Sequence, residues 1–408
     1  DPAVGLYGGA QGGHRQLTAH TGPGLYLHLP FCSAICPYCD FYVLTGDPAR
    51  RRRFVDSLIA EIALCAGGRW PVVGDESPVE PFDTLYLGGG TPSILAGEEL
   101  TRTLEALRLA LPIADDVWIS LEANPEDVTP ANLAAWRQMD VRFLSLGVQS
   151  FQQDNLDFLG RRHTSEQSRR SLDLALGAGF QTVSVDLIYG LPHQTREGWR
   201  RELEQAVDFG PQHLSCYQLT IHERTPFGFR LERGELEELP ESDQAELFLF
   251  THRYLAEHSL DGYEVSNFAA GPEHRSRHNR KYWDHTPYLG LGPSAHSFVG
   301  NRRWWNVRKI KPWEARLEAG SSPVETSEEL SPTDLALERL MLALRTSDGL
   351  DLDAFQEAYG VDALATNSDV VDRHVRADLL TFENGHLTPT FAGLAVADTL
   401  ARSFEIPG

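Results

Sequence analysis

The sequence is poor in cysteine and in positive charge. It contains five cysteines in 408 residues, and its 36 Lys and Arg residues against 58 Asp and Glu residues give a net charge of −22. Five cysteines are too few for a disulfide framework, which favours a reducing cytoplasm. The negative charge disfavours nucleic acid and anionic lipid as partners of the bulk surface. No apolar run reaches the length of about 18 residues that a membrane-spanning helix requires.

The remaining composition is that of an ordinary globular protein. Apolar residues make up 41% of the chain and charged residues 23%. The length suits one large domain or two ordinary ones. Residues 1–23 are rich in glycine and lack the apolar segment of a signal peptide, so we predict a flexible leader there.

Between residues 24 and 220, short β-type runs alternate with amphipathic helical stretches. The candidate strands cover residues 25–29, 84–89, 117–123, 143–148, 182–190 and 213–219. The candidate helices cover residues 53–66, 98–111, 166–179 and 196–210, where apolar residues recur every three or four positions. This alternation indicates an α/β fold built from βαβ units with a parallel sheet. Six strands are too few for a closed barrel of eight, so we predict a partial (β/α)6 TIM-like barrel over residues 24–240.

The chain after residue 240 departs from this pattern. Residues 241–259 predict a further helix, and residues 241–320 are interpreted as an extension of the barrel. The polar segment 320–332 is expected to be a linker. Residues 321–408 contain three helical patterns and a hairpin-like end, which predict a winged-helix-like α+β domain. In so acidic a chain we interpret this domain as a lid or packing element rather than a DNA-binding module.

Unusual polar and glycine-rich segments follow five successive predicted strands. They read HLPFC, GGGTPS, EANP, GVQSF and DLIYGLP. In parallel α/β folds, the carboxyl ends of the strands lie at one edge, where binding and catalytic residues gather. We therefore expect a functional site at this edge.

Three of the five cysteines lie close together, at positions 32, 36 and 39. Thiolates are ligands for zinc and for iron–sulfur clusters. A structural zinc site needs a fourth ligand, which His28 could supply. A four-iron cluster held by three thiolates instead keeps one iron open to S-adenosylmethionine, whose sulfonium bond can then be cleaved by an electron from the cluster. Cys65 and Cys216 fall in helical and strand patterns and are expected to be core residues.

The spacing C-x3-C-x2-C after a first strand, with Tyr38 between the last two cysteines and GGGTPS after the next strand, resembles the radical S-adenosylmethionine (radical SAM) superfamily. The resemblance implies a [4Fe-4S] cluster on Cys32, Cys36 and Cys39. On chemistry alone, Glu122 suits ribose hydroxyls and the planar fork of Arg161 suits a carboxylate; the glycines permit either close backbone approach or a tight turn. The resemblance further implies that S-adenosylmethionine is contacted by Tyr26, Gly89, Gly90, Thr91, Glu122, Gln149, Arg161 and Asp186.

Within the superfamily, the chain is similar to the oxygen-independent coproporphyrinogen III oxidase-like group, and it most resembles the haem chaperone subfamily HemW. The oxidases carry a fourth cysteine two residues after the third, where this chain has Phe41. Residues 278–283 read HNRKYW and match the HNxxYW motif of the subfamily. We interpret His278 as an axial haem ligand, with Tyr282 and Trp283 packing against the porphyrin. The basic side chains of this segment would meet the propionates: Arg277, Arg280 and Lys281. The alternative from composition alone is a polar turn beside an aromatic core.

The resemblance implies a protein that binds haem and passes it to an acceptor such as a respiratory enzyme. It also implies an electron donor for the cluster and peripheral contact with membrane-bound acceptors. Two enzymatic alternatives stay open, a coproporphyrinogen III oxidase and a radical methyltransferase. The sequence leaves open whether S-adenosylmethionine is cleaved during the physiological task.

Overall fold

The computed structural model describes residues 22–66 and 80–407. The predicted leader therefore lies outside the described residues up to position 21. Among the helices described, none has the length and apolar character needed to cross a membrane.

The six predicted strands are confirmed and form the centre of the larger sheet. They are β1 (Gly24–Leu29), β2 (Phe82–Gly89), β3 (Ile113–Ala123), β4 (Val141–Gln149), β5 (Thr182–Tyr189) and β6 (His213–Gln218). Each pairs in parallel with the next, in chain order. The predicted α/β class and partial barrel are thereby confirmed.

Helices follow these strands, cover one face of the sheet and bury it. They are α1 (Pro48–Ala66), α2 (Gly97–Ala110), α3 (Pro130–Gln138), α4 (Gln153–Phe158), α5 (Ser165–Gly177) and α6 (Arg196–Phe209). Along β1, Leu25, Leu27 and Leu29 belong to the main hydrophobic core. Because side chains alternate along a strand, Tyr26 and His28 face the opposite, concave side. The concave side carries the polar residues that the sequence motifs place at the strand ends.

Further elements extend the sheet beyond both edges of the six-stranded centre. They are α7 (Pro226–Glu232), α8 (Glu241–Glu257), β7 (Asp261–Gly262), β8 (Asn267–Ala269), α9 (Arg277–Trp283), β9 (Tyr288–Leu291), β10 (His296–Val299), β11 (Arg302–Asn306), α10 (Ile310–Glu318) and β12 (Val324–Glu329). Among the described residues, the sheet has the order β12-β11-β10-β9-β1-β2-β3-β4-β5-β6-β8-β7. Strand β9 runs parallel to β1, whereas β10 to β12 continue antiparallel.

The sequence predicted that the segment 320–332 is a linker. In the structure this segment also contains the strand β12. This strand pairs with β11 along the sheet edge, and most of its side chains are exposed. An edge strand of this kind is held by backbone hydrogen bonds, so it carries no alternating apolar pattern that sequence analysis could detect.

The C-terminal part has its own small core. Its elements are α11 (Pro332–Ala343), β13 (Leu350–Asp351), α12 (Leu352–Tyr359), α13 (Ala363–Arg376), β14 (Leu380–Glu383), β15 (His386–Pro389), α14 (Phe391–Ala395) and α15 (Ala397–Arg402). Leu340, Phe355, Val371 and Leu387 pack together in this core. The predicted α+β domain, its three helices and its hairpin are confirmed. The prediction extended the hairpin-like stretch to residue 404, which is wrong for its last part: after β15 the chain forms the helices α14 and α15.

Candidate functional site

A cavity of about 500 Å³ opens at the carboxyl ends of the six central strands. It is lined by ten of the residues that the sequence singled out: Cys32, Cys36, Cys39, Gly89, Gly90, Thr91, Glu122, Gln149, Arg161 and Asp186. The remaining residue predicted to contact S-adenosylmethionine, Tyr26, lies deeper on the concave face, where its hydroxyl is 3.0 Å from Nδ1 of His28. The strand-end residues thus converge as the parallel sheet predicted.

The three cysteines lie on the loop after β1 and are free thiols. Thr91 Oγ1 donates to Cys32 Sγ at 3.4 Å, and Arg161 Nη1 donates to Cys36 Sγ at 3.6 Å. Burial raises the pKa of Cys32 to about 11, which the hydrogen bond from Thr91 and the charge of Arg161 oppose. The loop therefore presents its thiols to donors that stabilise thiolates.

The donor set fits a cluster better than a single zinc ion. Within residues 22–66 and 80–407, no three His, Cys, Asp or Glu side chains converge as ligands of one metal ion. A four-iron cluster places each thiolate on a different iron, so its ligands need not converge. His28, the candidate fourth zinc ligand, is buried; its Nε2 lies 3.0 Å from the carbonyl oxygen of Tyr42 and its Nδ1 faces Tyr26. Both ring nitrogens are occupied by protein partners.

The glycine triplet brings the end of β2 against the cysteine loop. Gly89 has φ +104°, and a Cβ atom there would lie 2.4 Å from Nδ1 of His28. A Cβ at Gly90 would lie 2.7 Å from the carbonyl oxygen of Phe31. Next to it, the backbone N–H of Thr91 donates to that same oxygen at 2.7 Å. Only residues without a side chain allow this approach, so the triplet positions the loop that carries the thiols.

Two carboxyl groups face the cavity from neighbouring parts of the sheet. Tyr86 donates its hydroxyl to Glu122 at 2.7 Å, and Ser145 donates to Asp186 at 2.9 Å. Burial raises the pKa of Glu122 to about 7 and that of Asp186 to about 6, and the charge of Asp186 contributes to the first shift. Near neutral pH these groups are acceptors that can take hydrogen bonds from hydroxyl or ammonium groups of a ligand.

Arg161 lines the same cavity and is held by two hydrogen bonds to neighbouring loops and strands. Its Nη2 donates to Asn124 Oδ1 at 2.6 Å and to the Gly147 carbonyl at 2.9 Å. Its Nε is buried and has no hydrogen-bond partner among the described residues. A buried donor without a partner is costly, so this guanidinium suits an anionic ligand group in the cavity. Gln149, the last residue of β4, has φ +65°, a strained conformation of the kind that occurs at binding sites.

The HNRKYW segment forms α9, which packs against the first residues of β1 and β2, at the end of these strands opposite the cysteine loop. His278 is fully buried, with Nδ1 3.0 Å from Thr84 Oγ1 and Nε2 2.9 Å from the hydroxyl of Tyr282. Burial lowers its pKa to about 3. Both ring nitrogens already have partners, so the ring as placed offers no free nitrogen to haem iron. Trp283 is half-buried at the end of the same helix.

The basic residues of α9 also have protein partners. Lys281 Nζ is buried and lies 2.7 Å from Asp83 Oδ1. Arg280 lies 3.4 Å from Asp348, and the Arg277 guanidinium stacks 4.0 Å above the ring of Trp118. These contacts are those of a helix that closes the floor of the barrel.

Several residues that line the cavity were missed by sequence reasoning. They are Tyr86, Asn124, Phe143, Ser145, His213, Ser215, Tyr217, His222, Ser276 and Asn279. Many of them alternate with core residues along the strands, so the two-residue period could have found them. Asn279 belongs to the HNRKYW segment itself, and Ser276 caps its helix.

Comparison with known proteins places these observations in a family. A family model for the radical SAM superfamily matches residues 26–206, and one for the HemN C-terminal domain matches residues 330–396. The chain is 34% identical to the heme chaperone HemW of Mycobacterium tuberculosis over 93% of its length and 94% of the relative's. It is 33% identical to that of Escherichia coli, covering 79% and 82%. It is 31% identical to that of Bacillus subtilis, covering 82% and 86%.

Among solved structures, the chain is similar to coproporphyrinogen III oxidase (HemN) from Escherichia coli, with a TM-score of 0.79 and 21% identity over 94% of this chain and 90% of that one. This likeness supports the fold. The identity and coverage shared with the HemW relatives show more, and the chain belongs to the HemW family of haem chaperones within the radical SAM superfamily.

Proposed function

We propose that this protein is a haem chaperone that holds a [4Fe-4S] cluster on Cys32, Cys36 and Cys39, binds S-adenosylmethionine in the adjoining cavity and passes haem to an acceptor protein. The observation that carries the proposal is the convergence of the three thiols, the glycine triplet, Arg161 and the two acids on one cavity. When bound, such a cluster would offer its open iron to S-adenosylmethionine and supply an electron for its reductive cleavage.

The cavity residues suit S-adenosylmethionine by their chemistry. Arg161 would hold the carboxylate through its unpaired Nε, and Glu122 would accept from the ribose hydroxyls. Asp186 and Gln149 add polar groups at the same strand ends, and Gly89, Gly90 and Thr91 would provide backbone and hydroxyl contacts. Tyr26 would act through His28 at the base of the site.

A coproporphyrinogen III oxidase is the second candidate, and one observation bears on it. Phe41 occupies the position of the oxidases' fourth cysteine, and its side chain is 69% exposed beside the cavity. An apolar ring exposed at the mouth suits the face of a porphyrin that is bound and released. This favours the chaperone over the oxidase.

The cluster assignment is tested by iron content and colour after anaerobic reconstitution. Cys32→Ala, Cys36→Ala and Cys39→Ala should each lose the cluster absorption. Cys65→Ala and Cys216→Ala are matched controls, because these thiols lie in α1 and β6 away from the cavity lining, and they should keep it. Equal iron in all five variants would refute the assignment.

The chaperone role is tested by titrating the reconstituted protein with haem and then mixing it with haem-free respiratory enzyme. Saturable binding followed by activation of the enzyme is the expected result. Decarboxylation of coproporphyrinogen III without haem transfer would instead support the oxidase. His278, Tyr282 and Trp283 stay a sequence-based prediction of the haem site, which the His278 variant described in the Discussion tests. The electron donor and any contact with membrane-bound acceptors stay proposals.

A further inference from the structure

Asn124 connects the two hydrogen-bond donors that reach thiols of the cysteine loop. It follows β3 directly and lines the cavity. Its Oδ1 accepts from Arg161 Nη2 at 2.6 Å, and its Nδ2 donates to Thr91 Oγ1 at 3.2 Å. Thr91 in turn donates to Cys32 Sγ, and Arg161 donates to Cys36 Sγ. One amide therefore joins both donors, although they follow different elements of the fold, β2 and α4.

The orientation of the Asn124 amide is determined by its partners. A guanidinium only donates hydrogen bonds, so the atom that faces Arg161 must be the carbonyl oxygen of the amide. The NH2 group is thereby directed at Thr91. Because this group also only donates, the hydroxyl hydrogen of Thr91 is turned away from it and directed at Cys32. The amide thus makes the Thr91 hydroxyl a donor to sulfur.

The backbone of Asn124 is fixed by a separate set of contacts. Its N–H donates to Ser93 Oγ at 3.2 Å, and Ser93 donates to Asp127 Oδ2 at 2.7 Å. Asn124 also precedes the short helical turn Pro125–Asp127, a position where an asparagine side chain commonly accepts from the backbone N–H groups that follow it. Here the side chain instead reaches the two donors. The amide is therefore used in the cavity, while other groups hold the turn.

Hydrogen bonds to the sulfur ligands of an iron–sulfur cluster influence its reduction potential. A donor stabilises the negative charge of a thiolate, and a reduced cluster carries one more negative charge than an oxidised one. Donors at the thiolates therefore favour the reduced form and raise the potential. Residues that orient such donors contribute to this effect, because they fix the direction and distance of each hydrogen bond.

We propose that Asn124 is a positioning residue that raises the reduction potential of the cluster by orienting Thr91 and Arg161. The inference rests on the proposed function, because it requires that Cys32 and Cys36 hold the cluster. Asn124 would act through its two neighbours and not as a ligand of iron. The proposal therefore predicts a change in potential on substitution of a residue that does not itself contact a cysteine sulfur.

The test is an anaerobic redox titration of the reconstituted protein without S-adenosylmethionine, followed by the electron paramagnetic resonance signal of the reduced cluster. Asn124→Leu keeps a side chain of similar size but removes both hydrogen bonds. At a fixed applied potential, we expect the ratio of reduced to oxidised cluster to fall about tenfold, which corresponds to a potential lower by about 59 mV for a one-electron couple.

Asn132→Leu is the matched control. Asn132 Nδ2 donates to the Asp127 carbonyl at 2.7 Å, so it holds the same connection between β3 and α3, but it lies outside the cavity lining. This variant loses a hydrogen bond of the connection and keeps both donors to sulfur. It should keep the wild-type potential, and a potential that falls equally in both variants would refute the specific role of Asn124.

A double-mutant cycle tests whether Asn124 acts through Thr91. Thr91→Val removes the donor with little change in shape and should lower the potential by itself. Asn124→Leu should then lower the potential by less in the Thr91→Val background than in wild type, because one of its two routes is already lost. Equal effects in the two backgrounds would refute the route through Thr91.

Asn124→Asp provides a second variant if Asn124→Leu holds no cluster. A carboxylate keeps the contact with Arg161 but only accepts hydrogen bonds, so it would turn the Thr91 hydroxyl away from Cys32. Its negative charge acts in the same direction, and the potential should again fall. A wild-type potential in Asn124→Asp would refute the inference. Loss of iron from both Asn124 variants but not from Asn132→Leu would show a role in loading the cluster, and would likewise refute it.

The outcomes distinguish this inference from the function on which it rests. A wild-type protein that gains no cluster on reconstitution would refute the proposed function itself. A wild type that holds the cluster, beside an Asn124→Leu protein with equal iron content and an equal potential, would refute the role of Asn124 and leave the function intact.

Discussion

Replacing His278 with alanine should destabilise the barrel rather than simply remove a haem ligand. The ring is fully buried and contacts the hydroxyls of Thr84 and Tyr282 at 3.0 and 2.9 Å. Truncation would leave a cavity and two buried hydroxyls without a partner. A buried polar group without its partner costs about 1–3 kcal/mol, and a large-to-small core substitution costs about 2–5 kcal/mol. Because neighbours relax, we expect a combined loss of about 3–5 kcal/mol.

A thermal melt followed by circular dichroism measures this loss. A destabilisation of that size corresponds to a fall in melting temperature of about 5–10 °C for a domain of this size. His296→Ala is the control, because an exposed side chain outside a network should change stability by no more than about 0.5 kcal/mol. A His278→Ala protein that melts like wild type but loses its haem spectrum would contradict the packing role and support direct ligation.

Three other changes test the cavity. Gly89→Ala should lower the melting temperature and the iron content, because φ of Gly89 is +104° and the new Cβ would clash with His28. Gly177→Ala is the control, because a Cβ there, in α5, meets no atom within 4 Å. It should leave the iron content unchanged and leave the melting temperature unchanged or slightly raised. Iron loss in neither variant would contradict the positioning role of the triplet. In the folded protein the pKa of Glu122 is raised to about 7, so the protonated acid contributes stability at low pH that is lost as the pH rises. In urea titrations, the wild type should therefore lose stability between about pH 4.5 and 7, and Glu122→Gln should reduce this loss. A pH dependence like that of wild type would refute this assignment. Arg161→Lys should weaken S-adenosylmethionine binding, measured by calorimetry, more than it lowers the iron content. The reason is that a lysine ammonium cannot replace the planar guanidinium that contacts Asn124 and Gly147. An unchanged affinity would show that Arg161 does not contact the ligand.

Part of the cavity lining could be predicted from the sequence, because those residues belong to local motifs at strand ends. The spacing of Cys32, Cys36 and Cys39, together with the alternation of strands and helices, requires those ends to share one edge of a parallel sheet. Glu122 and Asp186 came from the same reasoning, since each lies on a separate strand that ends at that edge.

Contacts between distant segments could not be predicted in this way. The motif around His278 is suggestive in sequence, but the way α9 enters the floor of the barrel determines that its ring nitrogens meet Thr84 and Tyr282. His296 and Trp305 become partners only because β10 and β11 pair in one register, and β12 exists only because a sheet edge was available. Sequence by itself determined the class of the fold and the chemistry at the strand ends, because periodicity and spacing are local properties. The tertiary structure alone decided which histidine is enclosed and which is accessible, because burial and hydrogen-bond occupancy depend on segments far apart in the chain.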